Sequence, residues 1–170
     1  MAAIPFLGGF AMLALAVPHL QCIKIDPKVS TPYPERAVAL LKDSGFKGNL
    51  VVFFDWGEYV LWHVGPGIQI SMDPRRHSAY PHKVYVQNFV FQNGVGTWDA
   101  LLERGPADMV LMSNRFPAYN LMRLKTNWLL VHDDDLGGLF VRRDSPLVRA
   151  LTETKSRTDL PADGAGLCFP

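Results

Sequence analysis

The chain has 170 residues, 48% of them hydrophobic and 19% charged, which is enough to build one domain around a hydrophobic core. Its 17 basic and 16 acidic side chains leave a formal net charge of +1, so no basic face points to nucleic acid as a partner. The two cysteines, Cys22 and Cys168, form no C-x-x-C unit and indicate neither a disulfide framework nor a zinc site.

The N-terminal 23 residues contain no charged side chain. About 20 apolar residues in a helix cross the roughly 30 Å hydrocarbon core of a bilayer. We therefore predict a transmembrane helix over residues 1–23. A cleaved signal peptide, whose usual basic start is missing here, and a buried core helix are the alternatives. The small residues that would let this helix pack against other membrane helices are Gly8, Gly9, Ala14 and Ala16.

Residues 24–33 contain prolines and show no periodicity, which is typical of a linker. Residues 34–156 are predicted to form an α/β domain. Pro34 favours the start of a helix that stops at Gly45. The apolar run of residues 49–54 predicts a strand covered on both faces. A short helix over residues 56–65 and a second strand over residues 68–73 follow.

The second half of this domain continues the alternation of helices and strands. Residues 74–96 suit either a helix or an extended segment packed on the core, and the sequence does not decide between them. A helix over 97–105, a strand over 108–113, a helix over 116–126, a hairpin over 127–143 and a helix over 145–156 follow. The tail, residues 157–170, is expected to be flexible. The fold predicted is a compact three-layer α/β domain with a mostly parallel sheet and a C-terminal antiparallel hairpin.

Few motifs in the sequence carry chemistry. The acidic run Asp133, Asp134 and Asp135 invites a metal hypothesis, but it lacks the spacing of an EF-hand loop. Asp and Gly fill tight turns readily, so we predict a structural hairpin turn there. The sequence contains no G-x-S-x-G, G-x-G-x-x-G, phosphate-loop or H-E-x-x-H motif. We therefore predict no catalytic residue, no metal ligand and no cofactor.

Two carboxylates stand where predicted parallel strands end, Asp55 after the first strand and Asp73 after the second. Ligands of open α/β sheets bind in the crevice at such carboxyl ends. An arginine beside them could hold a phosphate or carboxylate, or it could pair with one of the aspartates. The candidate cluster, which either binds a ligand or fixes a loop, consists of Asp55, Glu58, Asp73, Arg75, Arg76 and Tyr80.

Asp55 has a second interpretation, because it directly precedes the short predicted helix. Its carboxylate could accept a hydrogen bond from the backbone N–H of Tyr59 or of a neighbouring residue, as an N-cap does. We predict that Asp55 organises this turn between strand and helix.

Three segments in order, FFDWGEYVLWHVGPGIQISMDPRRHSAYP, WDALLERGPADMVLM and WLLVHDDDLGGLFVRR, carry a family resemblance. Over residues 34–143 the chain resembles the C-terminal extracytoplasmic domain of multispanning bacterial glycosyltransferase-like membrane proteins. Those domains usually have a glycine where this chain has Glu58 and another where it has Pro74.

The resemblance implies a soluble cap domain without the catalytic half, because sugar transfer in such proteins belongs to the multispanning membrane part. It places the domain on the periplasmic side of the bacterial inner membrane. Lys24 and Lys28, after the apolar run, weakly favour the cytoplasm instead.

The function expected from these observations is that of a non-catalytic, membrane-anchored accessory or structural subunit. Its partners would be the lipid bilayer and other subunits of a larger bacterial membrane complex, for which photosynthetic and respiratory complexes are natural hosts. Trp98 and Trp128 are candidate interface anchors. One alternative is a partner or remnant of a membrane glycosyltransferase that acts with lipid-linked sugars. Another is an extracytoplasmic ligand-binding module.

Overall fold

The computed structural model describes residues 32–157, and the buried faces of their helices and strands follow the apolar pattern of the sequence. Helix α1 (Glu35–Asp43) buries Val38, Leu40 and Leu41, and a left-handed glycine, Gly45, stops it. The remaining elements, in chain order, are β1 (Gly48–Val52), a 3₁₀ turn (Phe54–Trp56), α2 (Gly57–Val64), β2 (Ile68–Ile70), α3 (Arg76–Ala79), α4 (His82–Asn93), α5 (Ala100–Arg104), β3 (Met109–Ser113), α6 (Pro117–Leu124), β4 (Trp128–Asp133), β5 (Gly137–Arg142) and α7 (Leu147–Arg157).

The five strands form one sheet in the order β2-β1-β3-β5-β4. Strand β1 runs parallel to β2 and β3, whereas β5 runs antiparallel to β3 and β4. The α/β class is confirmed, but the sheet is mixed and the prediction of a mostly parallel sheet is wrong.

The hairpin explains the mixed sheet, because its second strand lies inside the sheet and its first strand forms the edge. Strand β5 is buried along nearly its whole length, whereas β4 is mostly half-buried. Gly137 lets β5 approach β3 closely, since a Cβ there would overlap the carbonyl oxygen of Met112. An apolar strand with glycines at its start is therefore paired on both sides.

The predicted transmembrane helix is contradicted. No helix within residues 32–157 has both the length and the apolar character needed to cross a bilayer. The prediction of a single-pass inner-membrane protein with its soluble domain on the periplasmic side is contradicted by the same finding. Residues 1–23, with Gly8, Gly9, Ala14 and Ala16, lie outside the described residues, as do most of the predicted linker and residues 158–170 of the predicted tail.

The connections between the parallel strands create a crevice at one end of the sheet. The chain moves from β1 to β2 in one direction and then returns past β1 to β3, so right-handed crossovers carry the connecting helices to opposite faces. Helix α1 accordingly contacts α2 and α7, and helix α4 contacts α5 and α6. The connecting helices thus leave the neighbouring strands β1 and β3 on opposite sides of the sheet, and such a switch point is where open α/β sheets bind ligands.

Candidate functional site

The chain turns sharply after β1, and this turn exposes Asp55. The backbone N–H of Phe53 donates to the carbonyl oxygen of Leu111 at 2.8 Å, which ties the end of β1 to β3. Trp56 is 2% exposed and anchors the 3₁₀ turn in the core, while Asp55 on the same turn points into solvent. The turn thus presents one carboxylate at the crevice.

The predicted N-cap role of Asp55 is wrong. Trp56 occupies the cap position of α2, and no side-chain cap bond is made there. The reason is the 3₁₀ turn, which places Asp55 within a hydrogen-bonded turn instead of at a helix boundary. Among residues 32–157, no group donates a hydrogen bond to the Asp55 carboxylate.

Gly57 lets the start of α2 pack directly on the loop that follows β2. A Cβ on Gly57 would lie 2.5 Å from the carbonyl oxygen of Met72 and 2.8 Å from the Cβ of Asp73. Any larger residue would push the two strand ends apart, so glycine sets the spacing at this point.

Asp73 is fully buried and holds the loop after β2 in place. It accepts hydrogen bonds from the backbone N–H and the Nε of Arg75, both at 3.0 Å, and from the hydroxyl of Tyr80 at 3.0 Å. Burial on its own would raise the pKa of Asp73, but the hydrogen bonds from Arg75 and Tyr80 outweigh it and hold this pKa below its usual value. Three members of the predicted cluster are therefore brought together, and their contacts fix a loop.

The other members of the cluster lie apart from this network. Glu58 is exposed on α2. Arg76 has the left-handed φ of +39°, which is rare for a residue with a side chain, and its guanidinium lies 4.7 Å from the ring centroid of Phe54 and 5.9 Å from that of Tyr85. Arg75 and Arg76 are adjacent in sequence, but Arg75 binds Asp73 whereas Arg76 contacts two aromatic rings.

Asp55 lines three crevices formed by the described residues. One, of about 470 Å³, also contains Glu58, Trp62 and Arg75. A second, of about 370 Å³, contains Ser113 and Arg115 and lies between the ends of β1 and β3. The third, of about 260 Å³, lies beneath α4 and is called the amide pocket below.

The amide pocket takes its name from the side-chain amides that line it. Asn88 and Gln92 are 2% and 7% exposed, and Asn93 lies beside them. Asn88 donates to the carbonyl oxygen of Val84 at 2.9 Å, one turn back. Within residues 32–157, the Gln92 amide has no hydrogen-bond partner. Both polar atoms of the Gln92 side chain remain accessible to solvent, so water in the pocket can satisfy them until a ligand takes its place.

Aromatic rings form the walls of the same pocket. Phe53 and Phe116 contact each other with ring centroids 4.9 Å apart and separate the amide pocket from the crevice that contains Arg115. Tyr85 and Phe89, one turn apart on α4, stack with centroids 6.2 Å apart. The remaining lining residues are Phe54, Asp55, Met72 and Arg76.

Helix α4 has an unusual, mixed burial pattern. It buries Asn88 and Gln92 beside the fully buried Phe91, while Val86 and Phe89 are 41% and 52% exposed. Helices that serve only a core bury their apolar side chains and expose the polar ones. The sequence interpretation left this segment unassigned, and so it missed both amides. Their spacing of four residues was the available signal, because it places them on one helix face.

The acidic hairpin turn is structural, as predicted. Asp134 accepts backbone N–H bonds from Leu136 and Gly137 at 2.9 and 3.1 Å, and it contacts the buried His132 at 3.0 Å. Burial raises the pKa of Asp134, but these bonds outweigh it and leave the pKa below its usual value. Asp133 accepts a hydrogen bond from Tyr119 at 2.7 Å. No group of three potential ligands within the described residues could hold a metal ion.

The predicted tryptophan anchors lie against the core. Trp128 is 3% exposed, and Trp98 is half-buried against Phe91 with ring centroids 5.7 Å apart. Trp128 is therefore not available to a partner protein.

Searches against protein-family models, curated proteins and solved structures found no match to this chain. The resemblance to the glycosyltransferase-like proteins therefore stays a prediction.

Proposed function

We propose that this domain is a binding module whose amide pocket takes a small polar ligand. The observation that carries the proposal is Gln92, an amide that is 7% exposed and faces the pocket without a partner among the described residues. A ligand with complementary donors and acceptors would supply the missing hydrogen bonds.

The position and lining of the pocket support this proposal. It adjoins the carboxyl ends of β1 and β2, the usual ligand position in open α/β sheets. Its volume of about 260 Å³ is close to the lower end of ligand pockets, about 300 Å³. Aromatic walls with a few placed polar groups are the usual composition of such sites. The lining offers stacking and hydrogen bonding, which suits binding better than catalysis.

The test is a ligand screen by thermal shift, followed by calorimetry on each compound that raises the melting temperature. We expect a compound that binds the wild type and loses at least about tenfold in affinity to the Gln92→Met variant, since one hydrogen bond to a buried amide is lost. Gln87→Met, on another face of the same helix, is the matched control and should bind as the wild type does. Equal affinity for all three proteins would overturn the proposal.

A second candidate function is that of the accessory subunit. It is favoured by the apolar surface of α4, where Val86 and Phe89 lie on one face and are 41% and 52% exposed. The domain should then purify from its native source in a stable complex, and Phe89→Lys should release it. Leu124→Lys, at an exposed apolar residue on α6, is the control. Purification of the wild type as a free monomer would contradict this second function.

A further inference from the structure

Two opposite charges line the amide pocket, and neither is in an ion pair. Asp55 and Arg76 both line the cavity, which has a volume of about 260 Å³. Within the described part of the chain, no salt bridge includes either side chain. Both side chains are exposed, and both remain available to a ligand.

The position of Arg76 is built into the fold. The backbone N–H of Arg76 faces the carbonyl oxygen of Asp73 at 3.4 Å, and the backbone N–H of Tyr80 donates to the carbonyl oxygen of Arg76 at 2.8 Å. The loop fixed by the Asp73 network thus holds Arg76 at a φ of +39°, a strained conformation that the surrounding structure must maintain.

The Arg76 guanidinium carbon lies 4.7 Å from the ring centroid of Phe54, a cation–π contact that holds the exposed side chain beside the pocket. Within the described residues its N–H groups are in no ion pair. A carboxylate can accept two parallel hydrogen bonds from a guanidinium, so Arg76 is a candidate carboxylate receptor.

We propose, resting on the binding function above, that the ligand is a free α-amino acid. Its carboxylate pairs with Arg76 and its ammonium group with Asp55. Its side chain enters between the aromatic walls towards Asn88 and Gln92, whose amides would satisfy a polar group on it.

The experiment is a thermal-shift screen of the twenty standard L-amino acids, followed by calorimetry on the best binder and on two analogues of it. One analogue is N-acetylated and lacks the ammonium charge, and the other is the primary amide and lacks the carboxylate. We expect each analogue to bind the wild type at least about tenfold more weakly, since each loses a hydrogen-bonded charge. Asp55→Asn should weaken the amino acid and leave the N-acetyl analogue unchanged, while Arg76→Gln should weaken the amino acid and leave the amide unchanged.

The controls remove the same charges from neighbouring crevices. Glu58 and Arg115 line other cavities. The Glu58→Gln and Arg115→Gln variants should therefore bind the amino acid as the wild type does. The inference is overturned if no amino acid binds, or if neutralising either charge leaves the affinity unchanged.

A parallel screen of uncharged ring compounds, nucleobases and monosaccharides, separates this inference from the function on which it rests. If one of them binds in a Gln92-dependent way and no amino acid does, the binding function stands and the zwitterion assignment falls. If nothing in either screen binds, both fall.

Discussion

Replacing Gln92 by methionine should stabilise the unliganded protein while it weakens ligand binding. The Gln92 side chain is 7% exposed and has no hydrogen-bond partner within residues 32–157. A fully enclosed amide without a partner costs about 1–3 kcal/mol, whereas both polar atoms of Gln92 remain accessible to solvent. Methionine has nearly the same length and shape without the polar group. Because the amide faces a cavity that water can enter, we expect a gain at the lower end, about 1 kcal/mol.

The assay is urea unfolding at equilibrium, with the free energy of unfolding compared between Gln92→Met, Gln87→Met and the wild type. A gain of about 1 kcal/mol corresponds to a rise in melting temperature of about 3–5 °C for a domain of this size. Gln87→Met on the same helix corrects for the general effect of methionine. A Gln92→Met variant that is less stable than the wild type would contradict this prediction, because the Gln92 amide would then make a stabilising contact in the unliganded protein.

Three further predictions concern the frame of the site. Gly57→Ala should lower the free energy of unfolding by about 1–3 kcal/mol, because the added Cβ clashes with the loop after β2. The control is Gly105→Ala, which should change the free energy of unfolding little, since a Cβ at Gly105 meets nothing within 4 Å. Equal effects of the two substitutions would contradict the close packing at Gly57. Asp73→Asn should destabilise by about 1–3 kcal/mol at neutral pH. The native pKa of Asp73 lies below its usual value, so the ionised carboxylate contributes its full stabilisation above the unfolded pKa of about 3.9. This stabilisation is lost as the pH falls further, and the urea unfolding curves of variant and wild type should therefore converge below about pH 4. A constant difference down to about pH 2 would be inconsistent with this. Calcium chloride should leave the melting temperature unchanged, because Asp134 is already engaged by backbone amides and His132, and a calcium-dependent rise would show that the turn binds metal.

The sequence predicted those parts of the fold that depend on local signals. Gly45 stops α1 and the acidic turn joins two strands, because backbone conformation at such turns is decided by a few adjacent residues. The position of β5 inside the sheet could not be read in this way. It depends on a contact between Gly137 and the distant β3, which only the folded chain brings together.

At the candidate site, too, the sequence predicted some features and missed others. Asp55 was placed at the end of a strand from sequence alone, but its role as a cap was wrong, since a 3₁₀ turn replaced the expected helix start. Asn88 and Gln92 were missed because helix α4 buries these two amides beside Phe91 and exposes Val86 and Phe89, so its hydrophobic pattern gives no clear helical signal. A segment whose burial runs against its polarity defeats pattern-based assignment, and such segments are expected at functional sites.

The most direct test of the account is an NMR titration that follows the side-chain amide resonances of Asn88 and Gln92 while a binder from the screens is added. We predict that both pairs of resonances shift together and saturate with the affinity measured by calorimetry, while the side-chain amide of Gln87 stays in place. A compound that binds without shifting the Gln92 resonances would contradict the proposal that the Gln92 amide contacts the bound ligand.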